Sequence, residues 1–126
     1  MKRESLQAWL DKYVEAWRTY DQAQIGDLFS EDALYLYSPF DEQHPLRGRE
    51  AIVADWLKEP DATGSWEAHY EPIAIEGNVG VAQGRTRYFD PDGTIKREFA
   101  NCFVMQFNDE GRCKHFTEWF MQPRNS

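Results

Sequence analysis

Phe99-Ala100-Asn101-Cys102-Phe103-Val104-Met105-Gln106-Phe107, the turn Asn108-Asp109-Glu110-Gly111, and Arg112-Cys113-Lys114-His115-Phe116-Thr117-Glu118-Trp119-Phe120-Met121 read as two strands and their connection. Side chains alternate faces along a strand. Phe99, Asn101 and Phe103 therefore share one side of the first, and Phe116, Glu118 and Phe120 share one side of the second. Pairing Asn108 with Gly111 sets Phe103 opposite Phe116, Asn101 opposite Glu118, and Phe99 opposite Phe120. A carboxylate facing an amide among phenylalanines does not suit a solvated sheet surface. It suits the wall of an apolar pocket with one polar spot.

Working outward, Asp90-Pro91-Asp92-Gly93 is a strong hairpin signal, because proline presets one φ and glycine supplies the positive one. It joins a strand over residues 79–89 to one over 95–107, and Glu76-Gly77-Asn78 joins 66–75 to 79–89. On 79–89, Ala82, Gly84, Thr86 and Tyr88 face the concave side, where the small residues are expected to leave room. Gln83, Arg85 and Arg87 face outward, within reach of Glu67, His69 and Glu71 on the neighbouring strand. Val104, His115 and Trp119 also lie on that outer face, and an unpartnered tryptophan there predicts a homodimer through the sheet.

The first half is mainly helical. Leu6, Trp9, Leu10, Tyr13, Ala16, Trp17 and Tyr20 fall at the three-and-four spacing of a wide apolar stripe, predicting a helix over 5–20. Asp21 with Gln24 three residues on reads as the cap of a short second helix running through Phe29. A strand over 33–37 ends before Pro39, and 40–47 reads as a loop. Gly48 precedes a third helix with Ile52, Val53, Trp56 and Leu57 on its stripe, stopped by Pro60. Helices first and strands afterwards predict one α+β domain over 1–126, in the order α-α-β-α-β-β-β-β.

Composition narrows the partners. Twenty-two acids against fourteen bases give a net charge of −8 over 126 residues. With no basic cluster, neither nucleic acid nor an anionic membrane is an expected partner. No apolar run reaches membrane-spanning length and the N-terminus does not read as a signal peptide, so the expected compartment is the cytoplasm. Cys102 falls opposite Thr117 and Cys113 opposite Gln106 in the hairpin above, roughly 13 Å apart, which predicts two free thiols. His44, His69 and His115 are scattered, so no metal site is expected, and no motif calls for a cofactor.

Three segments carry a family resemblance: Asp27-Leu28-Phe29-Ser30-Glu31-Asp32-Ala33, Leu46-Arg47-Gly48-Arg49-Glu50-Ala51-Ile52, and Phe107-Asn108-Asp109-Glu110-Gly111-Arg112 with Phe116-Thr117-Glu118-Trp119. With the element order, they resemble the SnoaL-like branch of the nuclear-transport-factor-2-like superfamily across essentially the whole chain. The resemblance implies a cone-shaped, cystatin-like fold, in which a strongly curved, mostly antiparallel sheet wraps a long N-terminal helix around an apolar cavity. The superfamily includes ketosteroid isomerase, whose helix-borne oxyanion tyrosine falls on Tyr13. Its general-base aspartate falls on Ser38 and its second oxyanion acid on Phe103, so isomerase chemistry in its usual form is not implied. Some polyketide cyclases of this kind use a late-strand acid, which points to Glu118. The fold hosts many chemistries, so the site must be argued from its own residues.

Glu118, Tyr13 and Asn101 are the candidate catalytic residues. An apolar site raises a carboxyl's pKa toward neutrality, where it can take and return a proton; Asn101 can orient it, and Tyr13 can donate to a developing oxyanion. Trp17, Tyr35, Tyr37, Trp56, Tyr70, Phe99, Phe103, Phe116 and Phe120 are expected to wall the cavity, with Ser38, Phe40 and His44 near its mouth. Two functions remain open. One is the binding of a small hydrophobic, carbonyl-bearing molecule, with cofactor-free acid–base chemistry of an isomerase, dehydratase or cyclase type at Glu118. The other is a non-catalytic homodimerisation or protein-interaction module whose cavity is closed by aromatics. An open pocket of several hundred Å³ would favour the first.

Overall fold

A computed structural model describes residues 1–124. Helices α1 (Arg3–Thr19) and α2 (Gln22–Asp27) lead into strand β1 (Phe29–Leu36), a 3-10 turn (Pro39–Asp41), strand β2 (Leu46–Arg47) and helix α3 (Arg49–Lys58). Strands β3 (Trp66–Glu76), β4 (Val79–Phe89), β5 (Ile95–Phe107) and β6 (Cys113–Met121) complete the chain. The sheet order is β2-β1-β6-β5-β4-β3. Every neighbouring pair is antiparallel except β1 with β6, which run parallel. The α+β cone expected from the sequence is the observed fold, with one short strand more than the predicted order.

Local chemistry explains most element boundaries. The Asp21 side chain caps α2 by accepting from the Gln24 N–H at 3.0 Å. Gln24 does not complete the box, because its side-chain oxygen accepts instead from the Thr19 hydroxyl. The second helix stops at Asp27 rather than running through Phe29. Leu28 O accepts from Cys113 N–H and Phe29 is paired with Cys113 on β6, so this segment already belongs to the sheet. Pro72 is accommodated because β3 is an edge strand with a register shift at that point. The outer charges pair across β4, with Glu98 taking both Arg87 and Arg85 and Glu67 reaching Arg87 at 3.4 Å.

Aromatic rings fill the narrow end of the cone. Phe116 stacks on Tyr35 at 4.6 Å and on Tyr13 at 5.8 Å, while Trp9 meets Phe29 and Phe107 edge-on. Such pairs contribute about 0.5–1.5 kcal/mol each beyond the area they bury. Gly84 is required here for a reason other than the one expected. A Cβ on it would lie 1.9 Å from the His69 carbonyl and 2.4 Å from the Tyr70 ring. The space left by Gly84 is thus taken by Tyr70 and the β3 backbone, and neither Ala82 nor Gly84 lines the cavity.

The closing hairpin differs from the expected register. Asn108 pairs with Arg112 across a three-residue turn, its side-chain oxygen accepting from Glu110 and Arg112 N–H. Gly111 occupies the positive-φ position of that turn, at 79°. Lys114 is then an extra residue between the pairs Phe107–Cys113 and Gln106–His115. Each change slips the ladder by one, so Asn101 faces Phe120, Phe103 faces Glu118, Cys102 faces Trp119, and Cys113 faces Phe107. A slip of two preserves which face each side chain occupies. Both thiols are free.

Candidate functional site

The wide end of the cone holds a cavity of about 540 Å³, lined from α1, β1, α3 and the four long strands. From β6, Glu118 projects into it. Asn101 on β5, two pairs along the ladder and so on the same face, donates from Nδ2 to Glu118 Oε2 at 2.6 Å. Thr86 on β4 donates to Asn101 Oδ1 at 2.8 Å, and the Tyr70 hydroxyl on β3 lies 2.6 Å from Thr86 Oγ1. A threonine hydroxyl has one hydrogen. Since Thr86 gives it to Asn101, Tyr70 must be the donor to Thr86. The four side chains form one directed chain across four strands, running from Tyr70 to Glu118.

Burial holds the Glu118 carboxyl up at about 7, with the hydrogen bond from Asn101 offsetting part of that rise. No lysine or arginine pairs with Glu118 among the described residues. Across the cavity, the Tyr13 and Tyr35 hydroxyls lie 3.3 Å apart. Burial raises both phenols well above their ordinary range, and the nearby Glu118 charge adds to this, so both stay protonated. One of the two donates to the other, and the second keeps a hydrogen to offer into the cavity.

The mouth is more polar. Tyr37 donates to Asp55 on α3, and Asp61 Oδ2 receives Trp17 Nε1 at 3.0 Å and the Tyr20 hydroxyl at 3.3 Å. That hydroxyl also accepts from Asp61 N–H at 2.8 Å. Tyr20 ends α1 with φ at 51°, the left-handed region that disfavours a tyrosine by about 1 kcal/mol or more. Its double contact with Asp61 offsets that cost and ties the helix end to the segment after α3. Lys58 and Glu59 complete the rim.

Among the residues named from sequence, Tyr13, Asn101 and Glu118 line the cavity, as do Trp17, Tyr35, Tyr37, Trp56, Tyr70, Phe99 and Phe120. Five residues expected at the cavity are not among those that line it. Phe103 and Phe116 are packed into the aromatic stack beneath the cavity floor, 1% and 0% exposed. Ser38 caps the 3-10 turn by accepting from Phe40 N–H, and Phe40 points into solvent, 94% exposed. His44, also expected near the mouth, is not among the lining residues. The cavity is open, against the closed aromatic interior of the alternative reading. Thr86 and Tyr88 were marked as concave by strand alternation but not recognised as site residues. Tyr20 was likewise placed on the apolar stripe of the first helix without being named for the site, whereas Asp55, Lys58, Glu59 and Asp61 left no comparable sequence signal.

The SnoaL-like domain profile matches residues 10–116, and the chain belongs to that family. Among curated proteins, none matches the sequence. Solved structures match across nearly the full length. A nuclear-transport-factor-2-like protein of unknown function from Burkholderia xenovorans superposes with a TM-score of 0.72 at 20% identity, covering 100% of this chain and 90% of its own. A protein from Kribbella flavida, provisionally assigned as a ketosteroid isomerase, gives 0.71 at 15%, covering 98% and 83%. A second nuclear-transport-factor-2-like protein of unknown function, from Cytophaga hutchinsonii, gives 0.65 at 14%, covering 91% and 98%. At such identities the likeness concerns the fold alone. No helix among the described residues is long and apolar enough to cross a membrane.

Proposed function

We propose that the protein binds a compact apolar molecule bearing a carbonyl group, and that Glu118 moves a proton on it. The observation that carries this reading is one carboxyl in an aromatic cavity. Among the described residues it is held by a single donor on Oε2 and has no cationic partner, and it titrates near neutrality. A general base or acid works best when its pKa lies near the working pH. In its charged form Glu118 takes a proton from the carbon beside the carbonyl. The charge that develops on the carbonyl oxygen meets the free hydroxyl hydrogen of the Tyr13–Tyr35 pair. Glu118 then returns the proton to another carbon, an isomerisation, or to a departing hydroxyl, a dehydration. Asn101 donates to Oε2, while Oε1 has no donor among the described residues, so Oε1 is the oxygen given the proton-transfer role. The cavity volume lies within the range usual for small-molecule sites.

A thermal-shift screen of steroid-like, polyketide-like and terpene-like ketones would find binders. Exchange of their carbonyl-adjacent hydrogens for deuterium, followed by NMR, then tests the chemistry. Glu118→Gln is expected to slow enzyme-dependent exchange by about 100-fold or more while leaving binding of the neutral ketone in place. Unchanged exchange in that variant would remove the acid–base reading.

A second observation favours self-association. Trp119 is 45% exposed on the outer sheet face and sits beside Cys102, with half-buried Val104 and Val81 continuing the strip. An apolar strip centred on an exposed indole fits an isologous contact with a second copy of the chain.

A further inference from the structure

We infer that the ligand carries a positively charged nitrogen, a tertiary or quaternary ammonium group, at its mouth-facing end. This inference rests on the cavity being the ligand site proposed above. Ten of the seventeen residues lining it are aromatic, and an aromatic face attracts an organic cation through the negative lobe of its quadrupole. The ionisable groups point the same way. Asp55, Glu59, Asp61 and Glu118 line the cavity against a single base, Lys58. Among the described residues none of these five takes part in an ion pair.

The partners that these acids do have are neutral. Tyr37 occupies Oδ2 of Asp55, and Trp17 with Tyr20 occupies Oδ2 of Asp61. Such donors fix a half-buried carboxylate in place without cancelling its charge, and they leave Oδ1 of each open. Lys58 is exposed, and among the described residues nothing accepts a hydrogen bond from it that would hold it over the opening. A carboxylate or phosphate ligand would pass three like charges and then meet Glu118. A divalent metal fits no better, since no three histidine, cysteine or acidic side chains converge among the described residues. An ammonium group on an apolar body matches both the rings and the uncancelled charge.

Three aryl methyl ketones, identical but for the para substituent, provide the test: trimethylammoniomethyl, neopentyl and carboxymethyl. The first two have the same shape, so their affinity ratio isolates the charge. Titration calorimetry at low ionic strength is expected to show the ammonium ketone binding about tenfold tighter than the neopentyl ketone, with the carboxymethyl ketone weakest. Replacing Asp55 and Asp61 by Asn and Glu59 by Gln together should reduce that preference to about threefold or less. Equal or tighter binding of the neopentyl ketone to the unsubstituted protein would overturn the charge inference and leave the cavity reading standing. A preference undiminished in the triple variant would overturn the role given to these carboxylates. Binding of none of the three would remove both readings.

Discussion

Replacing Glu118 by Gln makes the protein more stable at mildly alkaline pH and leaves it little changed in acid. In the folded chain the carboxyl is pushed from its ordinary 4.5 up to about 7, chiefly by burial. Between those values the folded protein holds a proton that the unfolded chain has already released. Raising the pH through this window therefore drains stability, and the loss levels off once the folded carboxyl is ionised. A gap of this width corresponds to about 3 kcal/mol. The substituted amide cannot titrate and escapes the loss. Its side-chain oxygen can still accept from Asn101, so the variant keeps the wall of the cavity, with an offset of about 1 kcal/mol from the altered hydrogen bond. Urea unfolding of both proteins from about pH 4 to about pH 8 separates the two effects, because that offset is constant and the titration is not. Every other carboxylate titrates in both proteins and cancels in the difference. A difference that stays level within about 0.5 kcal/mol over the whole range would show that Glu118 is solvated, and the chemical reading would fall with it.

Other perturbations probe other parts of the same argument. Thr86→Val interrupts the directed chain and leaves Tyr70 and Asn101 each short of a partner, which should cost about 2 kcal/mol in urea unfolding; a cost below about 0.5 would mean that the chain is unimportant to folding. Gly84→Ala places a Cβ 1.9 Å from the His69 carbonyl, so circular dichroism should show a grossly destabilised protein; a native thermal midpoint would contradict the close approach of β3. If the proposed dimer forms through the outer face, Trp119→Lys should yield a monomer in sedimentation velocity without changing secondary structure, and a parent protein that is monomeric at high concentration would end the interface proposal.

The sheet was legible because its signals are local. Turn residues at Asp90–Gly93 and Glu76–Asn78 bracket strands whose ends agree with the observed ones to within a residue. The inward face of Glu118 was also readable, since alternation survives a ladder slipped by two. The slip itself was not readable. A three-residue turn and an extra Lys114 both leave the hydrophobic pattern of β6 intact, and only pairing with β5 and β1 selects them. The cavity rim was illegible for a related reason. Asp61 reaches the site through Trp17 and Tyr20, more than forty residues upstream, and no spacing in the sequence records that contact. Phe103 and Phe116 show the converse limit. Alternation gives a side chain's face but not its depth along the cone, so floor and cavity wall looked alike.

Because each hydrogen bond in the Tyr70–Thr86–Asn101–Glu118 series is donated toward the carboxyl, the series is complete whichever way that carboxyl is charged. Asn101 donates to Oε2, so in the proposed reaction the proton that Glu118 takes up is carried on Oε1, which has no donor among the described residues. Loading and unloading thus leave the scaffold behind the acid undisturbed. A single cycle of transfer can be completed without a partner group inside the protein having to turn over its own hydrogen.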